Sequence, residues 1–311
     1  MLLSASRRTD IPSYYADWFY NRIKEGFVMV RNPMNPRQIS KINLSPEVVD
    51  GIVFWTKNPQ PMISRLDELG DYMFYFQFTI TPYGKDIEPN LPSKSDELLA
   101  TFKTLSNTLG ANRVIWRYDP ILINKKYTFD YHTHAFGKIA EELQGYTRKV
   151  TISFIDVDYR GVKDNLAELA LDEFPPVTQV ELASRFAEIA RKCGLMVDTC
   201  AENLNLSHLG IEHARCIDEI LLGELLGCNL IVEKDKNQRF ECACKTSIDI
   251  GMFNTCLNGC RYCYANYSPK LIDGNYEKHN PQSPLISGDV NEGDKINERV
   301  VKSHRNLQLQ L

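Results

Sequence analysis

Three cysteines fall within one short stretch, Cys256-Leu-Asn-Gly-Cys260-Arg-Tyr-Cys263. Thiolates are soft ligands that suit iron–sulfur clusters and zinc. Three of them on a four-iron cluster leave one iron without a protein ligand, open to a small molecule that carries amino and carboxylate groups. Gly259 allows a sharp turn beside an inorganic core, and Tyr262 is placed to lay its ring beside a bound adenine. A structural zinc knuckle completed by a fourth Cys or His is the competing reading. Zinc sites, however, usually show paired C-x₂₋₄-C units far apart rather than three ligands together.

The remaining cysteines sharpen the picture. All nine lie between Cys193 and Cys263, and the first 192 residues have none. Cysteines clustered in this way in a reducing compartment are more often metal ligands or catalytic groups than bridges. Cys200, Cys216, Cys242 and Cys244 together make a complete ligand set for an auxiliary, fully coordinated cluster; the alternative for Cys200 and Cys216 is a role as small buried hydrophobes. Cys193 and Cys228 sit in helical or apolar contexts and are expected in the core. His208 and His213 lie close in sequence to Cys216 as spare ligands, while His132 and His134 belong to an amphipathic helix and are expected at its surface or behind the site.

Further chemistry-bearing residues come in short polar clusters, each directly after an apolar run. They are Ser6-Arg7-Arg8-Thr9-Asp10, Trp55-Thr56-Lys57-Asn58-Pro59, Thr79-Ile80-Thr81-Pro82-Tyr83-Gly84, Trp116-Arg117-Tyr118-Asp119-Pro120, Ser153-Phe154-Ile155-Asp156 and Asp198-Thr199-Cys200-Ala201-Glu202-Asn203. In a parallel barrel, chemistry gathers where strands end, so six clusters at the same topological place predict a polar pocket. Any one of them has a plainer explanation. Asn58 and Asp119 precede prolines that end strands, and Asp156 and Asp158 suit helix caps.

The elements that must position these residues alternate short apolar runs with amphipathic stretches, the pattern of repeated β-α units. Strands are expected at Met1–Ser6, Gly51–Thr56, Met73–Thr81, Arg113–Tyr118, Lys149–Ile155 and Leu195–Thr199. Helices are expected at Ser13–Glu25, Pro61–Leu69, Ser95–Leu109, Phe129–Leu143, Thr178–Cys193 and Glu212–Leu226. Val180, Ala183, Phe186, Ala187 and Ala190 keep the spacing of a buried helical face. Short right-handed crossovers predict an α/β fold, a parallel (β/α) barrel or partial TIM-like barrel, with a doubly wound open sheet as the alternative. No Gly-x-Gly-x-x-Gly follows a strand, which argues against dinucleotide binding. The expected organisation is a barrel domain over 1–232, a cysteine-rich cluster-binding segment over 233–267, and a loop-rich tail over 268–311 with a late helix near 294–303.

Composition sets the outer limits. Hydrophobic residues at 43% and charged residues at 24% are ordinary for a globular chain, and a net charge of −4 gives no global case for nucleic acid. The apolar stretch from Ile217 to Val232 is interrupted by Asp218, Glu219 and Glu224 and does not suit a bilayer. The chain reads as cytoplasmic, with no membrane partner.

The aromatic between the second and third cysteines of C-x-x-x-C-x-x-C, followed by Tyr264-Ala265-Asn266, resembles the cluster motif of the radical S-adenosylmethionine superfamily. Over nearly the whole chain, Ser4-Ala-Ser-Arg-Arg-Thr-Asp10, Phe54-Trp-Thr-Lys-Asn-Pro59, Trp116-Arg-Tyr-Asp-Pro120 and the terminal cysteines resemble the domain of unknown function 1848 family. More distantly, the Thr-Lys-Asn-Pro element and the cysteine triplet are similar to the spore photoproduct lyase branch of radical enzymes. The resemblance implies a [4Fe–4S] cluster on Cys256, Cys260 and Cys263, S-adenosylmethionine as its ligand, an unknown small-molecule substrate, and an electron donor such as flavodoxin or ferredoxin. In such a pocket Lys57 or Arg117 would hold the methionine carboxylate, with Asn58 and Tyr262 beside the cofactor. Asp119, Asp156 or Glu202 would face the ammonium or ribose, and Arg7 and Asp10 complete the catalytic candidates. The chain departs from the superfamily by carrying its cysteine loop after the last barrel strand rather than the first, and by lacking a Gly-Gly-Glu-type segment after the second. Two other functions remain open: a non-catalytic iron–sulfur protein that carries electrons or senses redox state, and a zinc-stabilised barrel hydrolase or lyase.

Overall fold

In a computed structural model, described for residues 1–157 and 166–306, the chain is built around a parallel sheet. Eight strands among these residues form it: β1 (Leu2–Ala5), β4 (Gly51–Thr56), β5 (Phe74–Thr79), β6 (Val114–Ile121), β7 (Lys149–Phe154), β8 (Met196–Thr199), β9 (Glu212–His213) and β11 (Ile248–Asp249). Their order is β11-β1-β4-β5-β6-β7-β8-β9, and every neighbouring pair is parallel. From β1 to β9 the chain adds strands in one direction, without the reversal that defines a doubly wound sheet. No pairing between β9 and β11 closes the ladder among the described residues.

Strand periodicity explains the two packed faces. Leu3, Ala5, Ile52, Phe54, Phe74, Phe76, Phe78, Val114, Trp116, Tyr118, Val150, Ile152 and Val197 point to one side. There they meet α2 (Ala16–Glu25), α4 (Leu99–Leu109), α5 (Phe129–Glu142) and α6 (Pro176–Lys192). The Phe136 and Phe186 rings stack at 4.0 Å where α5 crosses α6. The alternate residues Leu2, Val53, Tyr75 and Ile115 form a separate buried cluster with Ala214, Ile217, Leu222, Leu230, Val232, Cys242 and Cys244. The opposite face is therefore covered by the chain between β8 and β11, including α7 (Glu219–Leu226). Gly51 makes this possible, because a Cβ there would come within 2.6 Å of Leu222 Cδ2.

Several expectations need correction. Glu212–Leu226 is not one helix: Glu212–His213 pairs with β8, and α7 begins only after Asp218, whose carboxylate caps Ile220 and Leu221 N–H. Cys216, expected early in a helix, sits in the connection between them. The first helix is split into α1 (Ile11–Tyr14) and α2, and the second shrinks to α3 (Gln60–Ile63) followed by a tight turn over Leu66–Leu69. The late helix is a strand, β12 (Lys295–Arg299), which adds parallel to β3 (Gln38–Asn43), itself paired antiparallel with β2 (Phe27–Arg31). All five residues of β12 are exposed, so no apolar face was available to signal its type. The tail also contains α8 (Pro269–Glu277), capped by Ser268, and β13 (Arg305–Asn306), which pairs with β10 (Asn229–Leu230). Burial also corrects His132, which is fully enclosed and bonded to Tyr118 Oη and the Leu122 carbonyl, each at 2.8 Å. None of the helices described is long and apolar enough to cross a membrane.

Candidate functional site

The short strand β11 brings the C-terminal cysteines to the sheet. Leu3 and Ser4 of β1 register with Ile248 and Asp249, and the Asp249 carboxylate accepts from Ser4 Oγ at 2.6 Å, Ser6 Oγ at 2.7 Å and Arg7 N–H at 2.8 Å. At Gly251 a Cβ would lie 2.0 Å from Ser6 Oγ, so only glycine permits this approach. The chain then runs into the Cys256–Cys263 loop from the carboxyl end of a parallel strand, the end where the polar clusters were expected.

Contacts from three strand ends hold that loop. Asp10, after β1, accepts from Asn258 Nδ2 at 3.0 Å and from the Lys57 N–H, after β4, at 2.8 Å. Tyr14 Oη donates to Asn258 Oδ1 at 2.8 Å and Tyr15 Oη to the Thr255 carbonyl at 2.5 Å. In the segment after β5, Asn90 Nδ2 donates to the Leu257 carbonyl at 2.7 Å, and Arg261 N–H reaches the Ile87 carbonyl at 3.0 Å. Gly259 has φ +68°, and a Cβ there would meet Asn90 and Pro89 at 3.0–3.1 Å. The turn that the sequence assigned to Gly259 is real, and its neighbours explain it as much as its dihedral does.

Cys256 and Cys260 are buried and Cys263 is half-buried. Burial raises all three thiols; Cys260 is pushed up to about 12 even though Lys57 pulls it down. The electrostatic neighbours of Cys260 are Lys57, Glu88 and Cys263, so this thiol faces a charged centre. Lys57 Nζ lies 2.8 Å from Glu88 Oε1, and Lys94 and the Tyr262 hydroxyl bind the same carboxylate. Burial would raise Glu88, but the two lysines hold it down at about 2. Lys57 is likewise lowered by burial and raised by Glu88, with a net upward shift. The Tyr262 ring is enclosed by Lys57 Nζ at 5.5 Å and by Tyr83 at 6.0 Å. Asn58 follows Lys57 in the chain, and its main-chain carbonyl accepts from Ser13 Oγ at 2.8 Å.

The other candidates divide between two places. Arg117 and Arg7 turn toward the second group of cysteines on the opposite face of the sheet. Arg117 Nη1 is 3.0 Å from Cys216 Sγ and 3.3 Å from Gln77 Oε1, and its remaining nitrogens engage Asp119. Arg7 lies over the Trp55 ring at 5.1 Å and 3.9 Å from Asp235. Cys200 and Cys216 have their sulfurs 3.5 Å apart, Cys216 also interacts with Cys244, and Cys244 with Cys242. Contact with Cys200 and Cys244 holds the Cys216 thiol well below its usual range. At the rim, Asp156 meets Arg239 at 2.8 Å, and Glu202 accepts from Phe154 N–H at 2.7 Å. Burial pushes the Glu202 carboxyl up to about 7. His208 and His213 are exposed, Cys193 is in the main core, and Cys228 is half-buried against the cluster on the opposite face. Asp158 lies outside the described residues.

The sequence reading missed Glu88, Lys94, Asn258 and Asp249. Glu88 stands between Ile87 and Pro89, with no local pattern to mark it. Only the tertiary convergence of two lysines and a tyrosine reveals it. Among the described residues no group of three or more His, Cys, Asp or Glu side chains is already arranged to hold a metal ion. The thiols stand in contact or in electrostatic reach of one another, short of coordination geometry.

A family model described as "Domain of unknown function (DUF1848)" matches residues 2–265. Curated proteins give no match. Among solved structures, a D-hydantoinase from a Bacillus sp. AR9 aligns with 14% identity and a TM-score of 0.29, over 52% of this chain. This chain spans 36% of that hydantoinase chain, and a likeness this slight carries no argument about fold or activity.

Proposed function

The chain belongs to the DUF1848 family, and from that premise we propose that it is an iron–sulfur protein that cleaves S-adenosylmethionine as an atypical radical enzyme. One observation carries this reading: the Cys256–Cys263 loop follows β11, a strand of the main sheet, and is bonded to Asp10 after β1 and Asn90 in the segment after β5, with Asp10 also accepting from the Lys57 N–H after β4. Radical S-adenosylmethionine enzymes carry their cysteine loop after the first strand. Here β11 stands beside β1 at the edge of the sheet, so the departure is one of chain order rather than of spatial position. Single-direction winding also supports a partial-barrel reading, since crossovers of one hand then place their helices on one face and curl the sheet.

The residues present fit a cluster. Three soft donors come from one loop, and a three-thiolate set leaves one iron free for a ligand. When bound, the cluster would supply an electron and that open position. The chain's own residues do the rest. Glu88, held ionised between Lys57 and Lys94, fixes both ammonium groups beside Cys260, so that cationic charge offsets thiolate charge in a buried place. Lys57 is the candidate for the methionine carboxylate, which would have to compete with Glu88 for it. Asp10 and Asn258 keep the loop in register with β1 and β4.

Anaerobically reconstituted protein should contain iron and sulfide, and should yield 5′-deoxyadenosine from S-adenosylmethionine under strong reductant. Cys263→Ala should abolish the nucleoside product. An intact cluster that gives no nucleoside would reject the enzyme reading in favour of electron transfer or redox sensing, and protein with zinc but no iron or sulfide would reject both.

A further inference from the structure

We propose that Cys200, Cys216, Cys242 and Cys244 bind a single thiophilic divalent cation of the zinc class, in a closed four-thiolate centre distinct from the Cys256–Cys263 loop. The four come from three separate parts of the chain. Cys200 continues β8 on the face that carries Asp198, Cys216 lies between β9 and α7, and Cys242 and Cys244 lie on the segment leading into β11. Cys200 and Cys216 nonetheless have their sulfurs 3.5 Å apart, and Cys216, Cys242 and Cys244 are buried in one cluster against which Cys200 packs.

Spacing selects the metal. Zinc–sulfur bonds of about 2.3 Å in a tetrahedron place the sulfurs about 3.8 Å apart. Cys200 and Cys216 already stand at 3.5 Å, close to that spacing, and closing the set requires Cys242 and Cys244 to move in on them. In a four-iron cluster each thiolate binds a different corner and points away from the others, so sulfurs in direct contact do not suit it. Four donors also leave no open position, which is the pattern of a structural zinc site rather than a catalytic one.

Surroundings agree with that count. Cys216, Cys242 and Cys244 are buried among Leu2, Val53, Tyr75, Ile115, Ile217 and Val232. Four thiolates around a dication leave two net negative charges, which apolar packing cannot stabilise. Arg117 supplies a cation at 3.0 Å from Cys216 Sγ, although it is shared with Asp119. Arg7 supplies another beside Cys244 and Cys216, and its buried Nη2 has no hydrogen-bond partner. Anionic thiols would give this guanidinium, which also neighbours Asp235 and Asp249, a further counter-charge. The Cys216 carbonyl is fixed by Tyr75 Oη at 2.6 Å and Gln77 Nε2 at 3.2 Å, so the backbone carrying this ligand is held before any metal arrives.

The test compares the full wild-type chain, Cys242→Ser/Cys244→Ser, and a triple variant with Cys256, Cys260 and Cys263 changed to Ala, all purified without oxygen. The triple variant should lose iron and sulfide yet keep about one zinc per chain, while the double variant should lose its zinc. Should the double variant not fold, cobalt(II) replaces zinc in the triple variant. Thiolate-to-cobalt charge-transfer absorption with intense visible bands of tetrahedral cobalt is then expected. Iron and sulfide retained by the triple variant, zinc unchanged in a folded double variant, or a cobalt spectrum without thiolate bands would each overturn the proposal. Wild-type protein with zinc but no iron would sink the cluster reading of the other loop and leave this one standing.

Discussion

Two groups of cysteines occupy opposite kinds of surroundings in the same sheet. One offers three thiols on a single loop at the carboxyl ends of strands, beside Asp10, Lys57, Glu88 and Lys94. The other offers four thiols gathered from three segments into an apolar layer, with Arg117, Arg7, Asp119 and Gln77 at its border. A set with a vacant position beside titratable groups suits reaction; a complete set enclosed by hydrocarbon suits stapling. Donor count and polarity change together between the two groups, which is why they read as different centres rather than halves of one.

The strongest test of that contrast is at Glu88. Glu88→Gln removes the charge that offsets Lys57 and Lys94, leaving two buried ammonium groups near Cys260. Breaking a buried ionic network costs about 3–5 kcal/mol, so denaturant unfolding should show a loss of that order. Zinc content of the variant should stay at the wild-type level, and a parallel loss of zinc would mean that the two groups are one cooperative site.

A smaller effect, placed away from both groups, comes from His132. Burial lowers its imidazole from 6.5 to about 4, where Tyr118 and the Leu122 carbonyl enclose the ring. The native state keeps it neutral while the unfolded chain takes up a proton below pH 6.5. Its contribution of about 3 kcal/mol is therefore complete above that pH and lost as pH falls toward 4. His132→Gln should flatten the stability profile in that window. An unchanged slope would assign the pH dependence to other groups.

The smallest expected change is also the most discriminating. Asn258→Ala removes a bond to Asp10 and one from Tyr14, for a loss of about 1–2 kcal/mol. Reconstituted iron should then dissociate faster on gel filtration, with zinc retention unaltered. Equal loss of both metals would merge the two groups.

Sequence alone carried much of this protein. Strand and helix periodicity located β1, β4, β5, β6, β7 and β8 within two or three residues at each end, because each alternates or concentrates apolar side chains. Spacing also singled out Cys256, Cys260 and Cys263, and set apart Cys200, Cys216, Cys242 and Cys244 from Cys193 and Cys228. The fold decided what spacing could not express. β11 is two residues long, below any periodic signal, yet it carries the cysteine loop to the strand ends. Arg117 and Arg7 were legible as polar residues after strands, but which face each side chain takes depends on strand register, and register is a property of the assembled sheet. Glu88 acquires its role only from lysines six and thirty-one residues away. Local sequence encodes the shapes of elements; which charges meet across them is set when the chain folds back on itself.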